Sequence, residues 1–275
     1  MFYDPVKDRL GSMFSRRPWM QKQFFRLLHL VFLRSWYVRL ETLRLLNHFP
    51  ADRPIRVLDA GTGFAQYAYF IAANIPNAQI LAVDVKQDYL DNAERFFAQT
   101  PYAERVAFQY EDLTDLQTDG PFDFILSVDV MEHIEDDRGV FRHFERVLAP
   151  GGYVMINTPS DQGGSDVTED GDTSFIEEHV RDGYNLDELK GKLSDAGLTP
   201  VQDWYTYGKH GSRAWRMLIK RPISWMGKTM AAAAILPFYY LFALPVGTAL
   251  NAADTRTDNP TGTGLLVIAQ KQGQS

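Results

Sequence analysis

The sequence predicts an α/β fold with a doubly wound, mostly parallel sheet. Short apolar runs that stop at an acidic residue, such as "IRVLDAG" and "QILAVD", alternate with helical stretches. Such runs are typical of strands that helices cover on both faces. In addition, "VLDAGTGFAQYAYF" has the pattern of a strand that breaks into a glycine-rich turn and then opens a helix. Together these patterns favour a sheet that binds a ligand at the carboxyl ends of its strands.

The later strands and helices follow in the same form. "RVAFQYEDL", "FDFILSVDV" and "PGGYVMINTP" supply three further strands, and "PVQDWYTY" and "TGLLVIAQK" supply the last two. "QDYLDNAERFFAQ" and "DRGVFRHFERVL" between them have the character of helices. "YNLDELKGKLSDAG" predicts a helix with Asn185 as N-cap, Glu188 at the capping-box position and Gly197 beyond its end.

Composition sets broad limits on function. The 275 residues are 45% hydrophobic and 23% charged, a balance typical of globular proteins. No cysteine is present, which excludes disulfides, thiolate metal sites and cysteine nucleophiles and favours a reducing compartment. The first residues contain acids and a proline and lack an uninterrupted apolar run, so we expect no signal peptide.

The formal charge of −7 hides a strong polarity along the chain. Residues 14–50 carry a formal charge of +6, and residues 204–253 carry another +6 with no acidic residue. Both segments are also rich in apolar and aromatic residues, so their basic groups do not form a simple solvated face. Residues 19–48 predict one or two helices with a break near Ser35.

The second basic segment contains an unusual apolar stretch. "TMAAAAILPFYYLFALPVGTAL" is uncharged over about 20 residues, nominally long enough to cross a bilayer. However, Pro237 and Pro245 interrupt a straight helix. The strand that follows must also return to a sheet whose other strands precede it. We therefore expect a buried helical cap or a broken segment that lies in a membrane interface.

The glycine turn disfavours a dinucleotide. A pyrophosphate site takes glycine at three places, G-x-G-x-x-G, and here Gly61 and Gly63 fit but Gln66 stands at the third. A Rossmann-type dehydrogenase is therefore the weaker alternative.

Acidic residues near the strand ends favour a different nucleoside ligand. Asp59 ends the first strand, and Asp84 ends the second, where a carboxylate accepts hydrogen bonds from both ribose hydroxyls. Asp112 follows the third strand and is placed to meet the exocyclic amine of an adenine. Such carboxylates suit a cofactor with an amino group and a positive charge. A non-catalytic scaffold that binds no cofactor is a further alternative, which these three acids disfavour.

In these motifs the chain resembles the class I S-adenosylmethionine-dependent methyltransferases, of the quinone, lipid and small-molecule type. The matching pieces are "VLDAGTG", "AVDV", "YEDL", "FDFILSVDVMEHIED" and "RVLAPGGYVMINTP", in the family's order and spacing. Ala65 stands where the family often has a third glycine. The resemblance implies a Rossmann-like, seven-stranded, mostly parallel sheet with the last strand antiparallel, plus N-terminal helices and a helical insertion before the last strand.

The resemblance also implies S-adenosyl-L-methionine as the cofactor and assigns site residues. Asp59, Gly61 and Gly63 would hold the methionine portion, and Asp84 the ribose. The adenine would lie against Asp112 and Leu113, and Ser127 and Asp129 would stand at the edge of the methyl-transfer site. The cofactor-binding residues expected are Asp59, Gly61, Gly63, Asp84, Val85, Asp112, Leu113 and Ser127.

Two histidines are candidates for a general base. His133 follows the fourth strand, and the family often uses the Glu-His pair there for structure or for the pocket wall. His179 precedes the capped helix, with a packing role as its alternative. The expected substrate-pocket residues are Asp129, Glu132, Arg181 and Tyr184. Residues 166–177 partly mimic a calcium loop, but we interpret them as an acidic loop and expect no metal.

The chain divides into four predicted segments. These are residues 1–50 (helical cap or membrane-docking segment), 51–207 (cofactor-binding core), 208–263 (basic and hydrophobic helical insertion) and 264–275 (last strand and C-terminus).

The basic and apolar segments favour a membrane-associated enzyme. Five tryptophans lie within or beside these segments, as expected of an interfacial anchor on an anionic membrane. We expect a cytoplasmic protein, peripheral on the inner face of the cell membrane, that methylates a lipid, an isoprenoid or another hydrophobic acceptor. The alternative is a soluble small-molecule enzyme whose hydrophobic segments form a lid or a homodimer interface. No nucleic-acid module is found, and we expect no nucleic-acid partner.

Overall fold

The computed structural model describes residues 18–163, 180–228 and 232–273. They form a seven-stranded sheet of order β3-β2-β1-β4-β5-β7-β6. The strands are β1 (Ile55–Ala60), β2 (Ala78–Asp84), β3 (Val106–Tyr110), β4 (Phe122–Val128), β5 (Leu148–Pro159), β6 (Leu198–Thr206) and β7 (Gly264–Lys271). β7 runs antiparallel to β5 and to β6, whereas the pairs among β1 to β5 are parallel. The predicted fold class is confirmed.

Helices flank the sheet on both faces. They are α1 (Pro18–Val31), α2 (Leu33–Leu46), α3 (Gln66–Asn74), α4 (Gln87–Phe97), α5 (Asp137–Val147), α6 (Leu186–Asp195), α7 (Lys209–Trp215), α8 (Arg221–Lys228) and α9 (Ala232–Asp254). The predicted break in the first helical stretch occurs at Phe32, whose backbone is extended between α1 and α2. Asn185 caps α6 as predicted, because its side chain accepts hydrogen bonds from the backbone N–H groups of residues 187 and 188.

Alternate side chains of the strands pack into two separate hydrophobic cores, one on each face of the sheet. Val57 of β1 and Phe124 of β4 point toward α1 to α4, whereas Leu58 and Ile125 point toward α5 and α6. This alternation follows from the period of two in a strand, and burial on both faces explains the continuous apolar runs of the sequence.

The carboxyl ends of β1 to β6 meet at one edge of the sheet, because all six run in the same direction. The strand order reverses between β1 and β4, which opens a crevice there. β7 starts at this same edge, where Gly264 pairs with Thr206 of β6 and with Pro159 of β5. The segment of residues 207–263 therefore leaves and re-enters the sheet at its carboxyl edge.

A proline shapes the first arm of this insertion. Pro222 has no backbone N–H for the carbonyl of Leu218, four residues earlier, and its ring crowds that carbonyl. Residues Arg216–Lys220 form a π-helical turn between α7 and α8. The Tyr240 hydroxyl from α9 donates to the Leu218 carbonyl at 2.7 Å, and Tyr239 donates to Met217 at 2.8 Å. The freed carbonyl thus becomes a contact point between the two arms of a helical hairpin.

The C-terminal end of α9 is fixed to the N-terminal helices. Tyr37 of α2 donates its hydroxyl proton to Asp254, with 2.8 Å to the carbonyl and 2.9 Å to Oδ1. The backbone N–H of Gly211 donates to Asp254 Oδ2 at 2.7 Å. The buried carboxylate of Asp254 therefore joins α2, α7 and α9.

The other half of α9 is largely exposed. By length and composition alone, residues Ala234–Asp254 are long and apolar enough to cross a membrane. Only 17% of the most apolar 18-residue stretch of this helix is buried inside the protein. Pro237 and Pro245 lie inside one continuous helix, so the expected interruption is absent. The expectation of a buried cap is wrong for this half, since the Phe242 side chain is 78% exposed.

Candidate functional site

The glycine turn after β1 uses both glycines for conformation. Gly61 and Gly63 have φ values of +81° and +53°, in the left-handed region that favours glycine. A Cβ atom on Gly61 would lie 2.3 Å from Val130 Cγ2, so this glycine also allows the segment after β4 to pack against the turn. At Gly63 no atom of another described residue, apart from the two chain neighbours, lies within 4 Å of the Cβ position, which leaves space for a ligand to approach the backbone.

Asp59 is a buried acid beneath this turn. Its carboxylate accepts a hydrogen bond of 2.6 Å from the Thr62 hydroxyl. Burial, and secondarily the charge of Asp84, raise the pKa of Asp59 to about 6, while the Thr62 bond opposes the shift. A backbone hydrogen bond from Ala68 opposes it as well, and a buried carboxylate in this position suits a ligand amino group.

Asp84 lies on the other side of the turn, at the end of β2. The backbone N–H of Gly63 donates to Oδ2 at 2.8 Å, and that of Lys86 donates to Oδ1 at 2.9 Å. Each carboxylate oxygen keeps acceptor capacity for a hydroxyl. Val85 beside it is about half exposed. The crevice thus presents an oriented carboxylate where the ribose was predicted.

Asp112 caps a short 3-10 turn, Leu113–Asp115, after β3. Its Oδ1 accepts hydrogen bonds from the backbone N–H and the hydroxyl of Thr114, at 2.9 and 2.7 Å. Leu113 is buried, and His143 Nδ1 lies 2.9 Å from its carbonyl oxygen. These contacts fix the turn, and the adenine role of Asp112 and Leu113 stays a prediction.

The end of β4 carries a second set of polar groups. Ser127 is fully buried, and its hydroxyl has no hydrogen-bond partner among the residues that the structure describes. Asp129 has a left-handed backbone with φ of +53°, and its N–H donates to the Asn157 carbonyl at 2.9 Å. Its Oδ2 lies 2.5 Å from Arg34 Nη1 of α2. An N-terminal helix therefore contributes a charged group to the edge of the site.

Glu132 is the most buried acid of this region, with 1% of its surface exposed. The Thr158 hydroxyl donates to its Oε2 at 3.2 Å. Burial first, and then the charge of Asp129, raise the pKa of Glu132 to about 8, while Thr158 and Arg34 oppose the shift. At neutral pH this carboxyl is therefore mostly protonated.

The structure describes one of the two histidine candidates. His133 follows Glu132 in a 3-10 turn, but its side chain is exposed whereas that of Glu132 points inward. His179 lies outside the described residues, as does the calcium-like segment 166–177. The base roles of both histidines stay predictions. Within the described ranges no cluster of three potential ligands could hold a metal ion.

Arg181 and Tyr184 make internal contacts. The Tyr184 hydroxyl donates to Asp137 Oδ2 at 2.7 Å, and Arg181 forms an ion pair with the same carboxylate. Arg181 also donates to the Ile134 carbonyl at 2.7 Å. These contacts give both side chains a structural role beside α5, and their pocket role stays a prediction.

Sequence reasoning missed three groups near Asp129. These are Arg34, Tyr67, whose hydroxyl lies 2.9 Å from that of Ser35, and Tyr207, whose hydroxyl accepts a hydrogen bond from the Arg34 N–H at 3.3 Å. Tyr207 follows β6 in a left-handed conformation with φ of +56°. The charge pattern marked the basic segment of Arg34, but no local signal shows which carboxylate it reaches.

Comparison with known proteins agrees with this geometry. Residues 51–205 match the family described as Methyltransferase domain, over more than half of the chain. The chain belongs to this methyltransferase family. The acids and the open glycine turn fit S-adenosylmethionine, the cofactor of the family, which supplies a methyl group on a positively charged sulfur. In the structure, Asp59 and Asp84 both contact the turn, and their roles toward the amino and ribose groups of that cofactor stay predictions.

Curated relatives match the core only in part. A trans-aconitate 2-methyltransferase of Methylobacterium nodulans is 29% identical over 42% of each chain. A phosphoethanolamine N-methyltransferase 1 of Triticum aestivum is 30% identical over 53% of this chain and 28% of its own. The chain thus spans less than half the length of these relatives.

Solved structures show the same fold at low identity. A putative sarcosine dimethylglycine methyltransferase of Galdieria sulphuraria has a TM-score of 0.60 with 18% identity, covering 88% of this chain and 86% of its own. A Haemonchus contortus phosphoethanolamine N-methyltransferase 2 in complex with S-adenosyl-L-methionine has a TM-score of 0.59 with 21% identity, covering 87% and 53%.

Proposed function

We propose that the protein transfers a methyl group from S-adenosylmethionine to a lipid-like, hydrophobic acceptor at an anionic membrane surface, on the cytoplasmic side. The observation that carries this proposal is an exposed apolar face on α9, at the same edge of the sheet as the cofactor crevice. The relatives methylate chemically diverse acceptors by their names, so the acceptor class is argued from this face.

The apolar face covers about three turns of α9. Ile235, Phe238, Phe242 and Val246 follow one another at spacings of three or four residues, so they share one side of the helix. Their side chains are 60%, 69%, 78% and 50% exposed. Large exposed apolar patches mark interaction sites on soluble folds.

Exposed basic residues lie on the other arm of the hairpin. Arg213, Arg216 and Arg221 are exposed, and Trp225 packs edge-on against Tyr239 with ring centroids 5.0 Å apart. Arg221 and Met226 are five positions apart in α8, which corresponds to a rise of about 8 Å along the helix axis. Interfacial helices bury their apolar face to about that depth while cations meet anionic headgroups.

The connection between this hairpin and the crevice is short. Tyr37 of α2 holds the end of α9 through Asp254, and Arg34, one turn earlier on α2, contacts Asp129. α2 therefore lies between the C-terminal end of α9 and the end of β4 at the edge of the crevice. This proximity supports a lipid-like acceptor over one that arrives from water.

Flotation with vesicles tests the membrane part. The full chain is mixed with vesicles of phosphatidylglycerol and phosphatidylcholine, and then with phosphatidylcholine alone. We expect binding to the anionic vesicles, and strong loss of binding in the double variant Phe238→Ser with Phe242→Ser. Val201→Ser is the matched control, since Val201 is an exposed apolar residue of β6 outside the hairpin.

A second experiment separates electrostatic attraction to anionic lipid from non-specific hydrophobic adsorption. Replacing Arg213, Arg216 and Arg221 with glutamine should weaken binding to anionic vesicles only. If the wild-type chain ignores vesicles and sediments as a dimer that the Phe238 and Phe242 changes dissociate, the apolar face is instead a homodimer interface. In that case the soluble small-molecule alternative replaces the proposal.

A further inference from the structure

We propose that Glu132 is the catalytic base of the methyl transfer, and that its carboxylate removes the proton from the acceptor nitrogen or oxygen. This inference rests on the proposed methyltransferase activity, and it replaces the histidines that the sequence suggested. It does not depend on the membrane part of the proposal.

The position of Glu132 follows from the packing of the segment after β4. Val130 lies against Gly61 of the glycine turn so closely that a Cβ there would be 2.3 Å from Val130 Cγ2. Glu132 is two residues further on, and its side chain is turned into the protein. The segment that carries Glu132 therefore packs against the glycine turn.

The sheet presents the hydroxyls of Ser127 and Thr158 on one face. Ser127 of β4 is in register with Ile156 of β5, and Thr158 is two residues beyond Ile156. Ser127 and Thr158 therefore project from the same sheet face, at its carboxyl end. Thr158 donates to Glu132, and Ser127 keeps a buried hydroxyl without a protein partner among the described residues. An unpartnered buried hydroxyl, on the sheet face that also carries the donor to Glu132, is the kind of group that a ligand completes.

The neighbouring charges leave Glu132 available for proton transfer. Asp129 is held by Arg34, and Asp137 is held by Arg181, Lys192 and Tyr184. By contrast, Thr158 is the only side-chain donor to Glu132 among the described residues.

The titratable and charged groups that face Glu132 are Asp129, Arg34 and Tyr184. Burial and Asp129 raise the pKa of Glu132 toward the physiological range, where a base is most effective.

The proposed reaction is a displacement at the methyl carbon. The lone pair of the acceptor heteroatom forms the new bond to the methyl carbon. The carbon–sulfur bond breaks, and its electron pair stays on sulfur as a neutral thioether. The proton of the acceptor goes to the Glu132 carboxylate, which later releases it to water. With an ammonium acceptor the proton moves before the attack, and with a hydroxyl it moves during the attack.

The experiment compares Glu132→Gln and Glu132→Asp with wild type in the full chain. The probes are mixed vesicles of phosphatidylethanolamine and phosphatidylglycerol, which offer an amine and hydroxyls, with methyl-labelled S-adenosylmethionine. Glu135→Gln is the matched control, since Glu135 is an exposed acid three residues away. Calorimetry with S-adenosylhomocysteine checks that each variant folds and binds the cofactor product.

We expect label in one of the two lipids, and a loss of roughly 100-fold or more in turnover for Glu132→Gln with unchanged S-adenosylhomocysteine affinity. Glu132→Asp should restore part of the rate. The identity of the labelled lipid distinguishes an amine acceptor from a hydroxyl acceptor. Equal turnover in wild type and Glu132→Gln overturns the proposal.

An infrared titration gives a readout that needs no acceptor. The wild type should show a buried carboxyl band that ionises between about pH 6 and pH 10 and that Glu132→Gln lacks. If no lipid is labelled, a band that titrates in this window supports the proposal, and its absence overturns it. Failure of the membrane proposal is seen separately, as loss of flotation on the same vesicles.

Discussion

The guanidinium of Arg34 lies 2.5 Å from the carboxylate of Asp129, and this ion pair joins the second N-terminal helix to the end of strand β4. Asp129 carries the left-handed backbone of that strand end, and Glu132 is three residues further on. The N-terminal helices therefore place a charge at the end of β4, at the carboxyl edge of the sheet.

Replacing Arg34 with methionine should lower turnover with little effect on cofactor affinity. Asp129 then lacks its partner, and its unbalanced charge raises the pKa of Glu132 further, since Arg34 opposes that shift. We expect the pH–rate profile to move to higher pH. The matched control is Arg138→Met, which breaks the exposed Arg138–Asp195 pair away from the crevice. A profile that stays in place would show that Arg34 does not face Glu132.

Replacing Asp84 with alanine should weaken S-adenosylmethionine binding and leave the fold intact. Each hydrogen bond to a charged group contributes roughly 1.5–3 kcal/mol, so losing two bonds to a ribose predicts at least a 100-fold weaker Kd. Calorimetry measures the affinity, and circular dichroism checks the fold. Asp88→Ala, in the first turn of α4, is the control. An unchanged Kd for Asp84→Ala would remove the ribose assignment.

Gly61→Ala should destabilise the protein more than Gly151→Ala does. Both glycines have similar φ values, +81° and +79°, so both substitutions carry the cost of a left-handed alanine, about 1 kcal/mol. Only at Gly61 does the new Cβ collide with Val130, whereas nothing lies within 4 Å at Gly151. Overpacking adds roughly 1–3 kcal/mol, which urea unfolding resolves. Equal losses would mean that the Val130 segment moves freely.

His29 should make stability depend on pH. Its ring packs between Tyr67 and Phe70, and burial, with the charge of Arg39 as a smaller cause, lowers the pKa of His29 to about 4. The stabilisation from the neutral ring is complete above the unfolded pKa of 6.5 and is lost as the pH falls toward 4. That shift is worth about 3 kcal/mol.

The test is His29→Phe, which keeps an aromatic ring against Tyr67 and Phe70. Its free energy of unfolding is compared with that of the wild type between pH 7 and about pH 4. Because Asp59 and other acids titrate in both proteins, the difference between the two curves isolates His29. Parallel curves would show that the His29 ring is not held neutral.

The sequence was most informative where the chemistry is local. The strand that carries Asp59, the glycine turn and the capped helix after Asn185 each depend on a few consecutive residues, and the structure confirms these elements. The fold class follows from them, because the apolar runs report burial on both sheet faces.

The remaining features depend on contacts between distant segments. Local pattern does not distinguish His133, which is exposed, from Glu132, which is buried, since the direction of a short 3-10 turn depends on what packs against it. Likewise, nothing near Arg34 in the sequence indicates Asp129 or Tyr207 as its neighbours. The two prolines of α9 led to a wrong prediction of a broken helix, since one continuous helix accommodates both of them.

The hydrogen bond between Tyr37 and Asp254 joins positions that lie 217 residues apart in the chain. Recombination that exchanged the insertion alone would separate these partners and leave a buried carboxylate without its tyrosine. The two segments that carry Tyr37 and Asp254 are thus expected to change together during evolution, while the sheet between them diverges independently. A chimaera that takes the hairpin from a relative must therefore take the N-terminal helices with it.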